Sequence, residues 1–196
     1  MNKEIKIKVI VGSTRRGRFG DKPARWIFDI IKKYEGVDAE ILDLRDYPMP
    51  FFDEMDSPSS VKGEYPNPIV NAWAQKIADA DAFIVVSPEY NHGYSAVLKN
   101  AFDYIYKEWN NKPVGMVSYG GLGGARAIEQ IHQVAVALQM APIGSSVNIL
   151  APWNLLEADG SLKSGALEPY EKNAQNLITQ LLLWARALQV LRNNTD

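Results

Sequence analysis

Three polar, glycine-containing stretches each follow a run of apolar residues, and they hold the side chains best suited to chemistry. Loop A (residues 12–20) reads Gly-Ser-Thr-Arg-Arg-Gly-Arg-Phe-Gly, loop B (residues 87–93) reads Ser-Pro-Glu-Tyr-Asn-His-Gly, and loop C (residues 118–124) reads Ser-Tyr-Gly-Gly-Leu-Gly-Gly. Hydroxyls, arginines and the N–H groups of glycine-rich backbone are groups that bind phosphate. Loop B contains no familiar acid–base or nucleophilic set, so it indicates a surface for a flat molecule with polar edges.

Loop A is the best candidate for a phosphate site, because it precedes a predicted helix whose positive end favours anions. We expect Ser13 and Arg15 to contact the phosphate, whereas Arg16 and Arg18 could equally be solvated surface charges. The loop is not a Walker A motif, because Arg18 stands where that motif has its lysine. It is not a dinucleotide fingerprint either, because Thr14 replaces a glycine. A mononucleotide phosphate fits better than ATP or a fully enclosed NAD.

Composition narrows the chemistry further. The net charge of the 196-residue chain is -2, which implies no general attraction to nucleic acid. Cysteine is absent and the only histidines are His92 and His132, so disulfides and thiolate catalysis are excluded and a histidine-rich zinc site is not expected. The N-terminus lacks the apolar block of a signal peptide, and no run approaches the roughly 20 residues that span a bilayer. We expect a cytoplasmic protein whose difficult chemistry comes from a bound cofactor or from a site made only of oxygen ligands.

Hydrophobic periodicity predicts strands and helices that alternate along the chain. The predicted strands are residues 5–11, 39–44, 83–86, 113–118 and 143–150. Helices are predicted to begin at Asp21 as a cap, at residue 69, at Ser95 as a cap, after loop C, and around Leu177 to Leu191. This alternation predicts a single α/β domain over residues 1–196, a doubly wound three-layer sandwich with a parallel sheet. With five strands, the flavodoxin-like order 2-1-3-4-5 is favoured.

That strand order brings the three loops together. Strands 1, 3 and 4 become neighbours, so loops A, B and C meet at the carboxyl edge of the sheet, where such folds bind ligands. Asp43, at the end of the second strand, is expected to be solvated or to cap a turn. The proline-rich segment (residues 45–68) is too long for filler and is expected to be functional or to contact a partner.

Taken in order, the three loops closely resemble those of the NADPH-dependent FMN reductase family over about residues 5–150. The Pro-Glu-Tyr-Asn part of loop B is the most specific element of this likeness. The resemblance implies a flavodoxin-like homodimer or tetramer that binds FMN and takes hydride from NADPH or NADH. It also implies a small acceptor, such as a flavin, quinone, azo dye or metal oxyanion. From the chemistry of the cofactor, we predict a ping-pong reaction in which the nicotinamide leaves before the acceptor enters.

Carried over by position, the resemblance assigns cofactor contacts but no catalytic side chain, because flavin carries the redox chemistry. The phosphate would be bound by Ser13 and Arg15, with Arg18 and the backbone of Phe19 and Gly20 completing the cradle. The isoalloxazine would be lined by Pro88, Glu89, Tyr90 and Asn91 on one side, and by Ser118, Gly120, Gly121 and Gly124 on the other. Apart from the resemblance, the surplus arginines Arg16 and Arg18 could bind the 2′-phosphate of NADPH and so give a preference over NADH. Glu89 is expected to act through its backbone or to face solvent, and not to serve as a general base.

Alternatives remain open at this point. The chain could be a non-enzymatic flavodoxin-type electron carrier or an FMN-binding module without turnover. The third predicted helix looks apolar on more than one side, from Val97 to Tyr106, and with Trp109, Phe51 and Phe52 it suggests a dimer interface over the flavin. A well-covered monomer is the other interpretation. No nucleic-acid or membrane partner is expected.

Overall fold

The computed structural model of the protein describes residues 4–193 and contains a five-stranded parallel sheet. Its strands are β1 (Ile5–Val11), β2 (Val37–Asp43), β3 (Ala82–Pro88), β4 (Pro113–Gly120) and β5 (Ala141–Leu150). They lie in the order β2-β1-β3-β4-β5, and every neighbouring pair is parallel. The predicted flavodoxin-like topology is confirmed.

Helices cover both faces of the sheet. They are α1 (Asp21–Ile31), α2 (Pro68–Ala78), α3 (Ala96–Asp103), α4 (Ala125–Ala137) and α5 (Glu171–Asn193). Helices α1 and α5 share one apolar core with alternate strand residues such as Val9 and Ile84, whereas α2, α3 and α4 share the other core with Ile10 and Phe83. Since successive strand side chains point to opposite faces, β3 is buried on both sides, as its continuous apolar run predicts.

Several element ends differ from the sequence prediction. Strand β3 continues through Pro88, which lies opposite Tyr119 in the register, and the ladder tolerates it because proline occupies the last position. Gly20 is the N-cap of α1, whereas Asp21, the predicted cap, is the first helical residue. Ser95 caps α3 as predicted, accepting the N–H of Leu98 at 3.3 Å.

The apolar residues predicted to form a dimer surface are largely buried within the chain. Helix α3 ends at Asp103, and the following Tyr104, together with Trp109, is almost fully buried. The proline-rich segment covers this region: Phe52 packs edge-on against Tyr104 with ring centroids 5.2 Å apart. The multi-sided apolar character of this stretch therefore has an intramolecular cause and does not by itself indicate a dimer.

Helix α5 has a buried side and an exposed side that both carry apolar residues. In α5, Leu177, Leu181 and Ala185 lie on the buried side, whereas the apolar Trp184 and Leu191 are exposed. Between residues 4 and 193, no helix combines the length and the apolar character that crossing a membrane requires.

Candidate functional site

The carboxyl ends of β1, β3 and β4 converge on a cleft of about 340 Å³ between loops A, B and C. Seven of the predicted cofactor-binding residues line it: Arg15, Arg18, Phe19, Pro88, Glu89, Tyr90 and Gly120. Five residues that the sequence analysis did not select complete its walls: Gly17, Tyr119, Pro152, Trp153 and Leu156. The cleft therefore lies where the strand order predicts it, with a partly different lining.

Loop A offers backbone donors that the protein itself does not use. Within residues 4–193, the N–H groups of Thr14, Arg16, Gly17, Phe19 and Gly20 donate to no acceptor. The following helix α1 has no side-chain cap at its N-terminus. Unpaired N–H groups at the positive end of a helix bind anions. Loop A thus has the donor set of a phosphate site.

Arg18 differs from the expectation that it binds phosphate, because its guanidinium is buried and fully engaged. Its Nη1 atom donates to the Ser13 carbonyl and, at 2.7 Å, to Asp43. Its Nε atom donates to Asp21 at 2.7 Å, and its Nη2 atom donates to both carboxylates. All five N–H groups of arginine are thereby used. Arg18 has no donor left for a cofactor phosphate or an NADPH phosphate, and its contact with Ser13 makes it a residue that shapes loop A.

The other arginines of this region remain available. Arg15 and Arg16 are exposed, and within the described residues neither guanidinium has an ion-pair partner. Arg45, which follows β2, donates from Nη2 to the carbonyl of Arg15 at 2.7 Å. Asp43 accepts the backbone N–H of Arg45 at 2.9 Å, so it does cap a turn as expected, in addition to its pairing with Arg18. Loop A therefore presents positive charge on its outer side.

Loop B is a tight hairpin whose position is fixed from both ends. Tyr90 and Gly93 exchange backbone hydrogen bonds of 2.7 and 3.0 Å around Asn91 and His92, which both have positive φ. Such a turn places Asn91 and His92 at its exposed tip, outside the cleft. The hydroxyl of Tyr90 lies 2.9 Å from Ser13 Oγ and so joins loop B to loop A. The expected contact of Asn91 with a ring edge stays a prediction.

Glu89 does not face solvent, which corrects the sequence-based expectation. Its side chain is only 4% exposed and accepts the Arg126 Nε at 2.8 Å and the Arg126 backbone N–H at 3.2 Å. Burial alone would raise the pKa of Glu89, but the hydrogen bonds and charge of Arg126 outweigh burial and lower that pKa. Glu89 is therefore an ionised cap of α4, and it is unsuited to act as a general base.

Close contacts within the protein, more than access to a ligand, explain the glycines of loop C. An ideal Cβ on Gly124 would lie 1.9 Å from Ser118 Oγ, and Gly124 has φ +75°. Ser118 is fully buried and its hydroxyl donates to the Ser87 carbonyl at 2.8 Å, so this hydroxyl is already engaged. A Cβ on Gly120 would lie 3.0 Å from the Glu89 Cβ. Only Gly121, near Trp153, has ordinary space beside it.

Two aromatic residues of the cleft were missed by the sequence analysis. Trp153 is 62% exposed and lies two residues after Ala151. Ala151 has a φ of 44°, and its backbone N–H donates to the Gly120 carbonyl at 2.9 Å, which holds this turn beside loop C. Tyr119 is 5% exposed and its hydroxyl makes no hydrogen bond within residues 4–193. Tyr119 belongs to loop C and could have been selected, whereas no motif marks Trp153.

A second cleft of about 610 Å³ lies on the other side of Tyr90 and Arg15. Ser13, a predicted site residue, lines this cleft together with apolar residues of the proline-rich segment and α3, among them Phe51 and Val97. Six predicted residues line neither cleft: Arg16, Gly20, Asn91, Ser118, Gly121 and Gly124. Among the described side chains, no group of three or more His, Asp or Glu residues is arranged to hold a metal ion.

The arrangement fits a planar molecule that carries a phosphate. The backbone donors of loop A and the uncapped end of α1 supply an anion site. Beside it, Pro88, Tyr90 and Trp153 supply flat apolar walls. The unpartnered buried hydroxyl of Tyr119 is a further polar group that a ligand can satisfy.

Similarity to known proteins extends over most of the chain. The sequence model described as NADPH-dependent FMN reductase matches residues 5–153. A protein of Schizosaccharomyces pombe named NAD(P)H-dependent FMN reductase is 44% identical over 135 residues, which cover 69% of this chain and 68% of the relative. An Arabidopsis thaliana protein named NADPH:quinone oxidoreductase is 32% identical over 166 residues, which cover 81% of this chain and 82% of the relative.

A solved structure agrees with the fold. The flavoenzyme NAD(P)H:(acceptor) oxidoreductase of Paracoccus denitrificans superposes with a TM-score of 0.69 at 21% sequence identity, covering 93% of this chain and 98% of that one. At this level of identity, the likeness concerns the fold alone.

Proposed function

The chain belongs to the NADPH-dependent FMN reductase family, and from this membership we propose that it reduces a small electron acceptor at the cleft between loops A, B and C. It is an oxidoreductase whose cofactors are FMN and NAD(P)H. The observation that carries the placement of its site is the meeting of an uncapped helix N-terminus with an aromatic-walled cleft at the carboxyl edge of the sheet.

The residues of the cleft divide into two groups by the part of FMN that they suit. The free N–H groups of loop A and the Arg15 guanidinium suit the phosphate. Pro88, Tyr90 and Trp153 suit the ring system, which they would orient and shield from water. When bound, FMN supplies the redox chemistry, accepting hydride from reduced nicotinamide and returning electrons to the acceptor.

The protein's own groups position and bind the reactants and take no part as acid or base. Among the described residues that line the cleft, Glu89 has the one carboxylate, and Arg126 keeps it ionised. No proton transfer to a side chain is required for hydride transfer, so no side chain needs an acid–base role in this proposal.

We propose that loop A also selects NADPH over NADH. With Arg18 engaged internally, this role falls to Arg16, which is exposed and has no ion-pair partner among the described residues. An exposed arginine next to the cleft can bind the additional 2′-phosphate through charge-assisted hydrogen bonds.

We further propose a ping-pong order, in which NAD(P)H and the acceptor use the exposed face of the cleft in turn. Relatives are named for FMN and quinone reduction, which supports a planar acceptor such as a flavin or quinone ahead of azo dyes and oxyanions. Parallel lines in double-reciprocal plots at several acceptor concentrations are expected. Intersecting lines would indicate that both substrates bind together.

A homodimer or tetramer remains our proposal for the assembly. Phe51, which lines the second cleft, is 78% exposed, and Met55 of the same proline-rich segment is fully exposed. Multi-angle light scattering decides the matter, since the chain has a mass of 21.9 kDa. A mass of one chain would contradict the proposal.

The experiment that tests the function is the visible spectrum of the purified protein before and after anaerobic NADPH. We expect a flavin absorbance that is lost within seconds of NADPH addition. Bound flavin that resists both NADPH and NADH would favour an electron carrier. Protein that neither carries flavin nor takes up added FMN would contradict the placement of the cofactor site.

A further inference from the structure

The glycine at the start of α1 is not required by the backbone. Gly20 is the N-cap of this 11-residue helix, with φ −55° and ψ −26°, a conformation that any residue adopts. Side chains with an oxygen are preferred at this position because they satisfy a free N–H group, and here none does. The presence of glycine therefore needs another explanation.

The space beside Gly20 is filled by a side chain from β4. An ideal Cβ on Gly20 would lie 2.8 Å from the hydroxyl oxygen of Tyr119, closer than the two groups can approach. The ring of Tyr119 is held there by edge-on packing against Phe19, with ring centroids 5.1 Å apart. Glycine at position 20 thus lets a hydroxyl from another element reach the uncapped end of α1.

That hydroxyl is buried and makes no hydrogen bond within the described residues. A buried hydroxyl without a partner costs free energy, so it is expected to have a partner in the functional state. The Ser13 hydroxyl is near enough to act on the pKa of Tyr119, which it lowers, but its side-chain hydrogen bond is made to the Tyr90 hydroxyl, 2.9 Å away, and the Arg18 donors are all used. The open N-terminus of α1 is the feature next to Tyr119 that attracts a ligand.

We propose that the Tyr119 hydroxyl donates a hydrogen bond to the FMN phosphate at the N-terminus of α1. This inference rests on the proposed function, and it adds to the phosphate site a hydrogen-bond donor from outside the helix and its N-terminal backbone. Tyr119 supplies from β4 the hydroxyl that the helix lacks at its own N-cap. Burial is the main cause that raises the pKa of Tyr119, and the neighbouring Tyr90 raises it further. The hydroxyl therefore keeps its proton and remains a donor at neutral pH.

The test compares FMN with riboflavin, which has the same ring but no phosphate. Apo-protein is titrated with each flavin, and binding is followed by quenching of flavin fluorescence. Because a hydrogen bond to a charged group is strong, Tyr119→Phe is expected to weaken FMN binding about tenfold or more. Riboflavin binding should change by less than about twofold. The control is Tyr34→Phe, which removes the hydroxyl of a half-buried tyrosine beyond the end of α1.

If the Tyr119 hydroxyl had a purely structural role, Tyr119→Phe would lower the melting temperature of the apo-protein. Under the proposal, the hydroxyl is buried and unsatisfied in the apo-protein, so its removal should leave that melting temperature unchanged or raise it. Gly20→Ala, which displaces the same hydroxyl on a permissive backbone, should also weaken FMN selectively. In the Tyr119→Phe background it should add little, because the clashing oxygen is gone. Gly20→Ala also tests the contact should the phenylalanine variant fail to fold.

Each other result would overturn the inference in a distinct way. Unchanged FMN affinity in Tyr119→Phe, or equal weakening of FMN and riboflavin, would remove the hydroxyl from the phosphate. Wild-type protein that binds both flavins equally would show that loop A is not a phosphate site, although flavin binding would stand. Wild-type protein that binds neither flavin would contradict the proposed function itself.

Discussion

Glu89, at the end of β3, caps the helix that follows β4. Its carboxylate accepts the backbone N–H of Arg126 in the first turn of α4 at 3.2 Å and the side-chain Nε of the same residue at 2.8 Å. The contact connects loop B, beside the cleft, to the first turn of α4. The acidic residue of the Pro-Glu-Tyr-Asn sequence is thereby a structural link whose charge is neutralised within the protein.

Glu89→Gln is expected to lower the free energy of unfolding by about 1–2 kcal/mol at pH 7, because a charged hydrogen bond becomes a neutral one. The pKa of Glu89 is lowered in the folded state, so its contribution is present above the ordinary glutamate pKa of about 4.3. That contribution is lost as pH falls through the lower folded value. Urea unfolding of both proteins from pH 7 to pH 3 measures the converging difference. Glu129→Gln, on the exposed face of α4, is the control; a constant difference across this range would contradict the assignment.

Arg18→Met should cost about 2–4 kcal/mol of unfolding free energy, because it leaves Asp21, Asp43 and the Ser13 carbonyl without their donor. Arg16→Met is a matched control in the same loop and should change stability by less than about 0.5 kcal/mol, since Arg16 is exposed. Thermal and urea unfolding of the two variants give the comparison. Equal effects would mean that the Arg18 contacts do not stabilise loop A.

Arg16→Ala should raise the KM for NADPH about fivefold while leaving the KM for NADH nearly unchanged, since only NADPH has the 2′-phosphate. A factor of five corresponds to about 1 kcal/mol, the upper range for an exposed charge pair. Steady-state kinetics with both nucleotides measures the ratio, and Lys33→Ala, at the other end of α1, is the control. A proportional change for both nucleotides would exclude Arg16 from phosphate recognition.

Gly124→Ala should destabilise the protein by about 3 kcal/mol or more. The added methyl would overlap the Ser118 hydroxyl, and alanine disfavours the φ of +75° at this position. Gly121→Ala, three residues earlier, should be tolerated within about 0.5 kcal/mol, since its Cβ would only touch Trp153 at 3.8 Å. Urea unfolding of both variants is the measurement. A destabilised Gly121→Ala would show that loop C is more tightly packed than the distances indicate.

Lys112 should make stability rise with pH in alkaline solution. Its ammonium donates to the Ile77 and Ala78 carbonyls at 2.7 and 2.9 Å, and burial, aided by the charge of Arg192, lowers its pKa to about 8. Between pH 8 and the unfolded value of about 10.4, the unfolded chain binds more protons, so unfolding becomes less favourable as pH increases, by up to about 3 kcal/mol.

The measurement for Lys112 is urea unfolding at pH 7–10 of the wild type and of Lys112→Met. The variant should lack this rise, whereas Lys172→Met, at an exposed site of α5, should keep it. Parallel stability curves for wild type and Lys112→Met would contradict a lowered pKa.

The sequence predicts the architecture well because local periodicity determines it. The bounds of β1 match the strand predicted at residues 5–11, and Ile128, Ile131 and Ala135 lie on the buried side of α4 as their spacing predicts. Strand order then brings loops A, B and C together without further information. These features depend on short-range patterns and on general rules of chain connection.

The roles of individual polar residues were harder to predict, because they depend on contacts between distant parts of the chain. Arg18 looks available in the sequence, but the register of β1 with β2 pairs Val11 with Asp43 and so delivers a carboxylate to loop A. The strand order already contained this signal. Trp153 gave no comparable signal, since its position depends on the positive φ of Ala151 after β5.

The hydrogen bond between Ser13 Oγ and the Tyr90 hydroxyl affects how ligand binding at loop A is coupled to ligand binding at loop B. It connects the loop that suits a phosphate to the loop that suits a ring, so a ligand that orders one loop would lower the entropic cost of ordering the other. Linkage then requires reciprocity: inorganic phosphate would tighten the binding of a phosphate-free flavin by the same factor by which that flavin tightens phosphate. The cleft would thus respond cooperatively to two fragments that, in FMN, arrive as one molecule.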